Sequence, residues 1–232
     1  MVKIGLILVT HSRPELLKKQ LRMFQEQTRQ DFDLIVTHGN KDNWNTVRRL
    51  VKQYRPGSTV RLDGNDLYSF RRIVVANELS DNYDVFLFLD DDVTIPPNYV
   101  AEAIKQYEPG TYKSWWAWNF NGKPYQKVED RTRVRKPGVP VVYGGTGVAM
   151  VDAKLCALPE LFDYPEHAPR MEDLWFSFVL GHFHKVPISY LDVDGVVLGG
   201  HDSKALYKRI LKSSYRKVHF VDMLRERYGW DA

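Results

Sequence analysis

The chain lacks most of the features that mark the simpler protein classes. It has one cysteine, Cys156, among 232 residues, so no intrachain disulfide can form and a reducing compartment suits it. It has no long hydrophobic run. The run near the start, Ile4 to Val9, is too short for a signal-peptide core or a membrane span, and no other stretch approaches about 18 apolar residues. A cytoplasmic protein without a transmembrane segment is expected, at most peripheral at a membrane. Internal repeats, low-complexity tracts and Pro/Ser-rich linkers are also missing, which makes a single domain over 1–232 the simplest organisation.

A large excess of one charge is missing too. The 33 basic and 29 acidic residues leave +4, and the excess is localised. Residues 201–232 carry eight Lys/Arg against four acids. Such a segment fits an anionic partner (a membrane surface, nucleic acid or a diphosphate), or simply a solvated helix face.

What is present is an alternation of apolar runs and helical periodicities. KIGLILVT reads as a strand. HSRPELLKKQLRMFQEQ has apolar residues at 16, 17, 21 and 24, helical spacing, with Ser12 as the expected N-cap and Pro14 in the first turn. DFDLIVTHGN is a second strand, Trp44 to Tyr54 a second helix, STVRLD a third strand, 66–79 a third helix and YDVFLFLD a fourth strand. This order predicts an α/β fold with a mostly parallel sheet covered on both faces, whose functional residues gather at the C-terminal strand ends. A helix is expected over 99–107. SWWAWNF reads as a strand, 121–138 as a mobile loop or hairpin, and VPVVYGGTGVAMVD as strands interrupted by glycines. Another helix is expected over 172–180, then a strand pair in PISYLDVDGVVLGGHD and a basic amphipathic helical tail over 203–228.

The most informative stretch is FLFLDDDVTIPP. Asp90, Asp91 and Asp92 come after five apolar residues, so a buried strand ends in three like charges. Alternate residues of an extended chain share a side, which pairs Asp90 with Asp92. Carboxylates so placed repel each other unless a cation or donors relieve them. All-oxygen ligation suits Mg²⁺ or Mn²⁺, commonly completed by substrate phosphates. The competing reading is an exposed acidic turn that leads into the next helix.

FLFLDDDVTIPP resembles the Asp-X-Asp segment of glycosyltransferases with the GT-A fold, family 2-like. ILVTHSRPELLKKQLRMFQEQT resembles that family's first strand and helix, YGGTGVAMVD its glycine-rich acceptor-side segment, and MEDLWFSF its Glu-Asp motif; together they cover about residues 1–202. THGNKDN and GNDLYSFRRIVVANEL depart from the family's usual signatures. The resemblance implies a Rossmann-like nucleotide-binding half over 1–98, an acceptor-side half over 99–202 and the tail over 203–232. It implies a metal-dependent inverting transferase that moves a sugar from a nucleotide-sugar, UDP by default, to a hydroxyl acceptor. Asp90 and Asp92 would hold the metal, with His201 completing its shell. Thr10, His11, Arg13, His38, Asn40, Asp66, Arg71, Asp90 and Asp91 would meet the donor. Asp173 would be the general base, with Glu172 orienting acceptor or sugar. Acids in the first turn of a helix are also favoured by its dipole alone.

Other residues carry weaker signals. Trp116 and Trp118 would share a strand face on the acceptor side, against sugar rings or in the core. Gly144, Gly145 and Thr146 permit close backbone approach to an acceptor. Arg71 and Arg72 suit either phosphate or an ordinary surface. His182 and His184, in GHFHK, read as structural. Two rivals remain. Sugar-phosphate nucleotidylyltransferases share the general fold but need a glycine-rich loop where this chain has THSRPE. A non-catalytic nucleic-acid or membrane module, or a transferase acting on a hydroxylated DNA base, would use the basic tail, which would otherwise pack on the domain. An anionic acceptor, a lipid-linked glycan or DNA, is suggested by the same tail.

Overall fold

The computed structural model describes residues 1–121, 130–199 and 217–231. Strands β1 (Ile4–Thr10), β2 (Asp33–His38), β3 (Thr59–Leu62) and β4 (Val85–Asp90) are parallel. β10 (Val148–Asp152) runs antiparallel between β4 and β6 (Tyr112–Ser114), and β11 (Ile188–Tyr190) lies parallel to β6. Together they form a seven-stranded sheet in the order β11-β6-β10-β4-β1-β2-β3. The chain winds outward from β1 to β3, then returns to place β4 on the other side of β1. That reversal makes a crevice at the C-terminal ends of β1 and β4.

The apolar runs result from burial on both faces. In β1, Ile7 points to one core while Ile4, Leu6 and Leu8 point to the other; in β4, Phe86 and Phe88 oppose Val85, Leu87 and Leu89. Helices α1 (Pro14–Gln25), α2 (Trp44–Tyr54) and α4 (Tyr99–Lys105) cover one face through Leu17, Leu21, Phe24, Val47, Val51 and Val100. Helices α3 (Arg71–Glu78), α5 (Glu172–Phe178) and the C-terminal helix Lys217–Tyr228 cover the other through Ile73, Leu174, Phe176, Phe220 and Leu224. A two-stranded ribbon pairs β5 (Val93–Thr94) with β12 (Val197–Leu198). A three-stranded sheet sets β7 (Ala117–Phe120) between β8 (Arg131–Val134) and β9 (Tyr143–Gly144). Among the described residues no helix is long and apolar enough to cross a membrane.

Several local expectations change. The cap of α1 is Arg13, not Ser12, with Pro14 opening the helix. The helix expected over 66–79 divides into a 3₁₀ turn, Asn65–Phe70, and α3, because Tyr68 adopts φ 46° and turns its carbonyl to the Nε–H of Arg71. The two late strands do not pair with each other; β11 joins the main sheet and β12 the ribbon. The described part of 121–138 is hairpin, β8 against β7. The described part of the basic tail packs on the domain, with Phe220, Val221 and Leu224 buried and Trp230 against Phe120 and Phe178. His182 serves the fold: its Nε2 contacts the Tyr228 carbonyl at 3.0 Å and its ring stacks on Phe178, while His184 pairs with Glu160.

Candidate active site

A cavity of about 640 Å³ opens at the crevice. β1 brings Thr10 to its edge, and the next residues add His11, Ser12 and Arg13. β4 ends in the acid triplet. β10, running the other way, begins just after Gly145, Thr146 and Gly147, and α5 presents Glu172 and Asp173 at its first turn.

The triplet is held by backbone and cations. The Asp90 amide donates to the Gly147 carbonyl at 2.9 Å. Gln20, a buried polar residue of α1, donates through Nε2 to the carbonyls of Asp90 and Val93, clamping the turn from β4 to β5. Arg13 pairs with Asp91 and donates to Asp92 Oδ2 at 3.1 Å. Arg72, fully buried, pairs with Asp90 and donates to the Thr146 carbonyl. Burial works to lower the Arg72 pKa, but Asp90 and Glu172 outweigh it and hold the guanidinium above its usual value. Burial pushes the Asp91 carboxyl up to about 7 against the pull of Arg13, and burial followed by the Asp90 charge raises Asp92.

Opposite stands the second pair of acids. Glu172 accepts from Thr146 Oγ1 at 2.8 Å and is raised by burial and by the Asp173 charge. Asp173 pairs with Lys217 of the C-terminal helix, and its carbonyl accepts from Ser177 Oγ at 2.7 Å. The same Ser177 hydroxyl accepts from the Gly144 amide at 3.0 Å, tying α5 to the glycine segment.

The β1 exit is fixed by a chain of hydrogen bonds. Asn43 Nδ2 donates to the His11 carbonyl, so its Oδ1 accepts from His38 Nε2, and His38 Nδ1 accepts from Thr10 Oγ1 at 2.6 Å. This assigns the His38 proton to Nε2. Burial is the main reason that His38 titrates below its usual value.

Of the residues singled out in the sequence, Thr10, His11, Arg13, Arg71, Asp90, Asp91, Asp92, Trp116, Trp118, Gly145, Thr146, Glu172 and Asp173 line this cavity. His38, Asn40 and Gly144 do not. Both ring nitrogens of His38 are engaged behind Thr10, Asn40 accepts from the Asp42 amide to cap a 3₁₀ turn, and Gly144 lies buried in β9, its carbonyl taking the Tyr112 hydroxyl. The Asp66 side chain and His201 lie outside the described residues. Gly199 donates to the Asp92 carbonyl, so the chain is beside the triplet two residues before His201. The structure adds Tyr68, Arg131, Tyr143, Arg170 and Lys217 to the lining and Gln20 behind it, and it sets Arg72 behind the lining as well. Arg71 and Arg72 are 2% and 0% exposed, which excludes the ordinary surface pair. Their signal in the sequence was two adjacent arginines heading an apolar helix, which only the packing resolves.

The donor set fits a hard divalent ion. Asp90 and Asp92 offer oxygens on one wall, both partly exposed; Arg72 and Arg13 already pair with them, and a divalent ion between the two would relieve the repulsion that remains. Among the described residues no group of three His, Cys, Asp or Glu gathers for a metal, so the described residues would supply two carboxylates.

No protein-family model and no curated protein sequence matches the chain. Solved structures do resemble it. The mannosyltransferase PcManGT of Pyrobaculum calidifontis, in complex with GDP-Man and Mn²⁺, superposes with a TM-score of 0.66 at 16% identity, over 97% of this chain and 64% of that one. TarS of S. aureus gives 0.59 at 16% identity, over 97% of this chain and 42% of that one. A 4-diphosphocytidyl-2C-methyl-D-erythritol synthase gives 0.52 at 13% identity, over 92% and 99%. The chain thus has the GT-A-like fold, and it spans under two thirds of the length of the first two.

Proposed function

We propose that the protein is a metal-dependent inverting glycosyltransferase that moves a sugar from a nucleotide-sugar to a hydroxyl acceptor. The observation that carries this reading is the meeting of two acid groups, Asp90–Asp92 and Glu172–Asp173, on one cavity at the C-terminal strand ends. Support also comes from the neighbouring mannosyltransferase, whose complex contains GDP-Man and Mn²⁺. GDP therefore joins UDP as a candidate donor nucleotide.

Asp90 and Asp92 would hold Mn²⁺ or Mg²⁺, which when bound supplies Lewis-acid stabilisation of the departing diphosphate. Arg13 and Arg71 put fixed positive charge on the same wall. Asp173 takes the proton of the acceptor hydroxyl as its oxygen bonds to the anomeric carbon. The bond from that carbon to the phosphate oxygen breaks on the opposite side, its electron pair leaves with the diphosphate, and the configuration inverts. Glu172, tied to Thr146, orients the sugar or acceptor beside the base. The nucleotidylyltransferase rival shares the fold with the third neighbour, but THSRPE still has no glycine at the first strand–helix junction.

The test is release of nucleoside diphosphate from UDP-, GDP-, dTDP-, CDP- and ADP-sugars with Mn²⁺. Release from one of them that EDTA stops supports the reading. No release from any, with or without simple sugar acceptors, counts against it.

A further inference from the structure

Three closely spaced tryptophans suggest a platform on which sugar rings stack, but their faces are already covered. Trp116 and Trp118 stack on each other with centroids 5.5 Å apart and planes 8° apart. Arg131 lies 3.9 Å over Trp118, and Arg133 lies 4.2 Å over Trp116 and 4.0 Å over Trp115. The β7–β8 register, Trp118 opposite Arg133 and Phe120 opposite Arg131, places both guanidinium groups and the Trp118 indole on one sheet face, with Trp115 and Trp116 in the bend just before β7. The cavity therefore meets indole edges and the Arg131 guanidinium. Ring edges carry the positive part of the quadrupole, and guanidinium N–H groups only donate. Such a wall favours oxygen-rich, negatively charged groups over the apolar face of a pyranose.

Two more cations reach the same wall from separate parts of the chain. Arg170, exposed in the turn before α5, lies 5.0 Å over the Tyr68 ring and donates to its hydroxyl at 2.9 Å. A guanidinium held on a ring and a phenol is fixed in direction yet keeps its charge. Lys217, from the C-terminal helix, sits on Asp173. Arg131 is itself directed by the Tyr143 hydroxyl. Arg133 behind it is pushed down to about 10, by burial first and then by the Arg135 charge.

We propose that the acceptor is an acidic carbohydrate, a sugar hydroxyl carried on a molecule with a phosphate or carboxylate, and that Arg131, Arg170 and Lys217 bind that acidic group beside Asp173. The inference rests on the transferase reading and names the acceptor class for it. It also gives the Lys217–Asp173 pair a role: an arriving anion draws Lys217 away and leaves the Asp173 carboxylate for the acceptor proton.

The test uses the full chain with Mn²⁺ and whichever of UDP, GDP, dTDP, CDP and ADP it binds, titrated with glucose, glucose 6-phosphate and glucuronate. One acidic sugar should bind at least about tenfold tighter than glucose, and which one does so separates phosphate from carboxylate recognition. Arg170→Met, at an exposed position, should weaken that sugar by roughly 10- to 100-fold, and Arg131→Met should act the same way. Equal affinity for glucose and both acids, no binding of any sugar, or indifference to both substitutions overturns the inference. If the nucleotide binds with Mn²⁺ and the acid preference is absent, this inference alone falls. If none of the five nucleotides binds, the transferase reading falls and takes it along.

Discussion

Arg72 pairs with Asp90 from a fully buried position and, with the same guanidinium, donates to the carbonyl of Thr146, whose hydroxyl in turn bonds Glu172. One buried cation thus joins the acid triplet to the acid pair across the cavity. Arg72→Met should cost roughly 1–3 kcal/mol, because it takes the counter-charge from the buried Glu172 and the partly exposed Asp90 and leaves the Thr146 carbonyl without its donor. Arg72→Lys should not restore the loss, since one ammonium cannot serve Asp90, Thr146 and the Ser69 carbonyl in the geometry of the fork. Urea unfolding of both variants checks this.

Gly147 has no room for a side chain. A methyl group there would collide with the Asp90 carboxylate, on the strand whose Asp90 amide bonds the Gly147 carbonyl. Gly147→Ala should displace Asp90 and weaken metal-dependent nucleotide binding, read by titration with and without Mn²⁺, while far-UV circular dichroism stays that of the parent.

His38 makes stability pH-dependent with a definite sign. Its folded pKa is below the ordinary 6.5, so below that pH the unfolded chain takes up a proton that the folded protein refuses. The contribution is complete above pH 6.5 and is lost as pH falls toward the depressed folded value, by at most about 1.4 kcal/mol per pH unit. His38→Gln should flatten that part of the curve, read by urea unfolding at a series of pH values from 7 downward.

Asp173→Asn keeps the shape of the site but cannot take a proton. Nucleotide binding with Mn²⁺ should persist and transfer should fall by roughly 10²- to 10⁴-fold. Full retention of transfer by this variant would remove Asp173 from the role of base.

Much of this arrangement was legible in the sequence because burial on both faces leaves a plain mark. The runs of β1, β2 and β4 are continuous hydrophobics, and the polar residues at their C-terminal ends lie along one edge of the sheet. The acid triplet stood out as charge at the end of an apolar strand, and Glu172–Asp173 through the resemblance of MEDLWFSF to a Glu-Asp motif. Lys217, Arg131 and Arg170 left no such mark, since a surface cation and a site cation look alike until tertiary packing brings them to one cavity. His38 looked like a strand-end ligand, and only the partners Thr10 and Asn43 show that its nitrogens are committed. SWWAWNF reads as one strand but is broken by a bend at Trp115 and Trp116 between β6 and β7, so Trp116 meets Trp118 by stacking and not by strand alternation, and the arginines that cover them depend on the β7–β8 register.

The central claim is that the strand ending in Asp90, Asp91 and Asp92 holds a metal for a nucleoside diphosphate. Its most direct test is calorimetric titration of UDP, GDP, dTDP, CDP and ADP, with and without Mn²⁺, into the parent protein and Asp92→Asn. The account predicts that one nucleotide binds tightly only with the metal and that Asp92→Asn abolishes the metal-dependent part. Binding that is indifferent to Mn²⁺, or that survives Asp92→Asn unchanged, would contradict it.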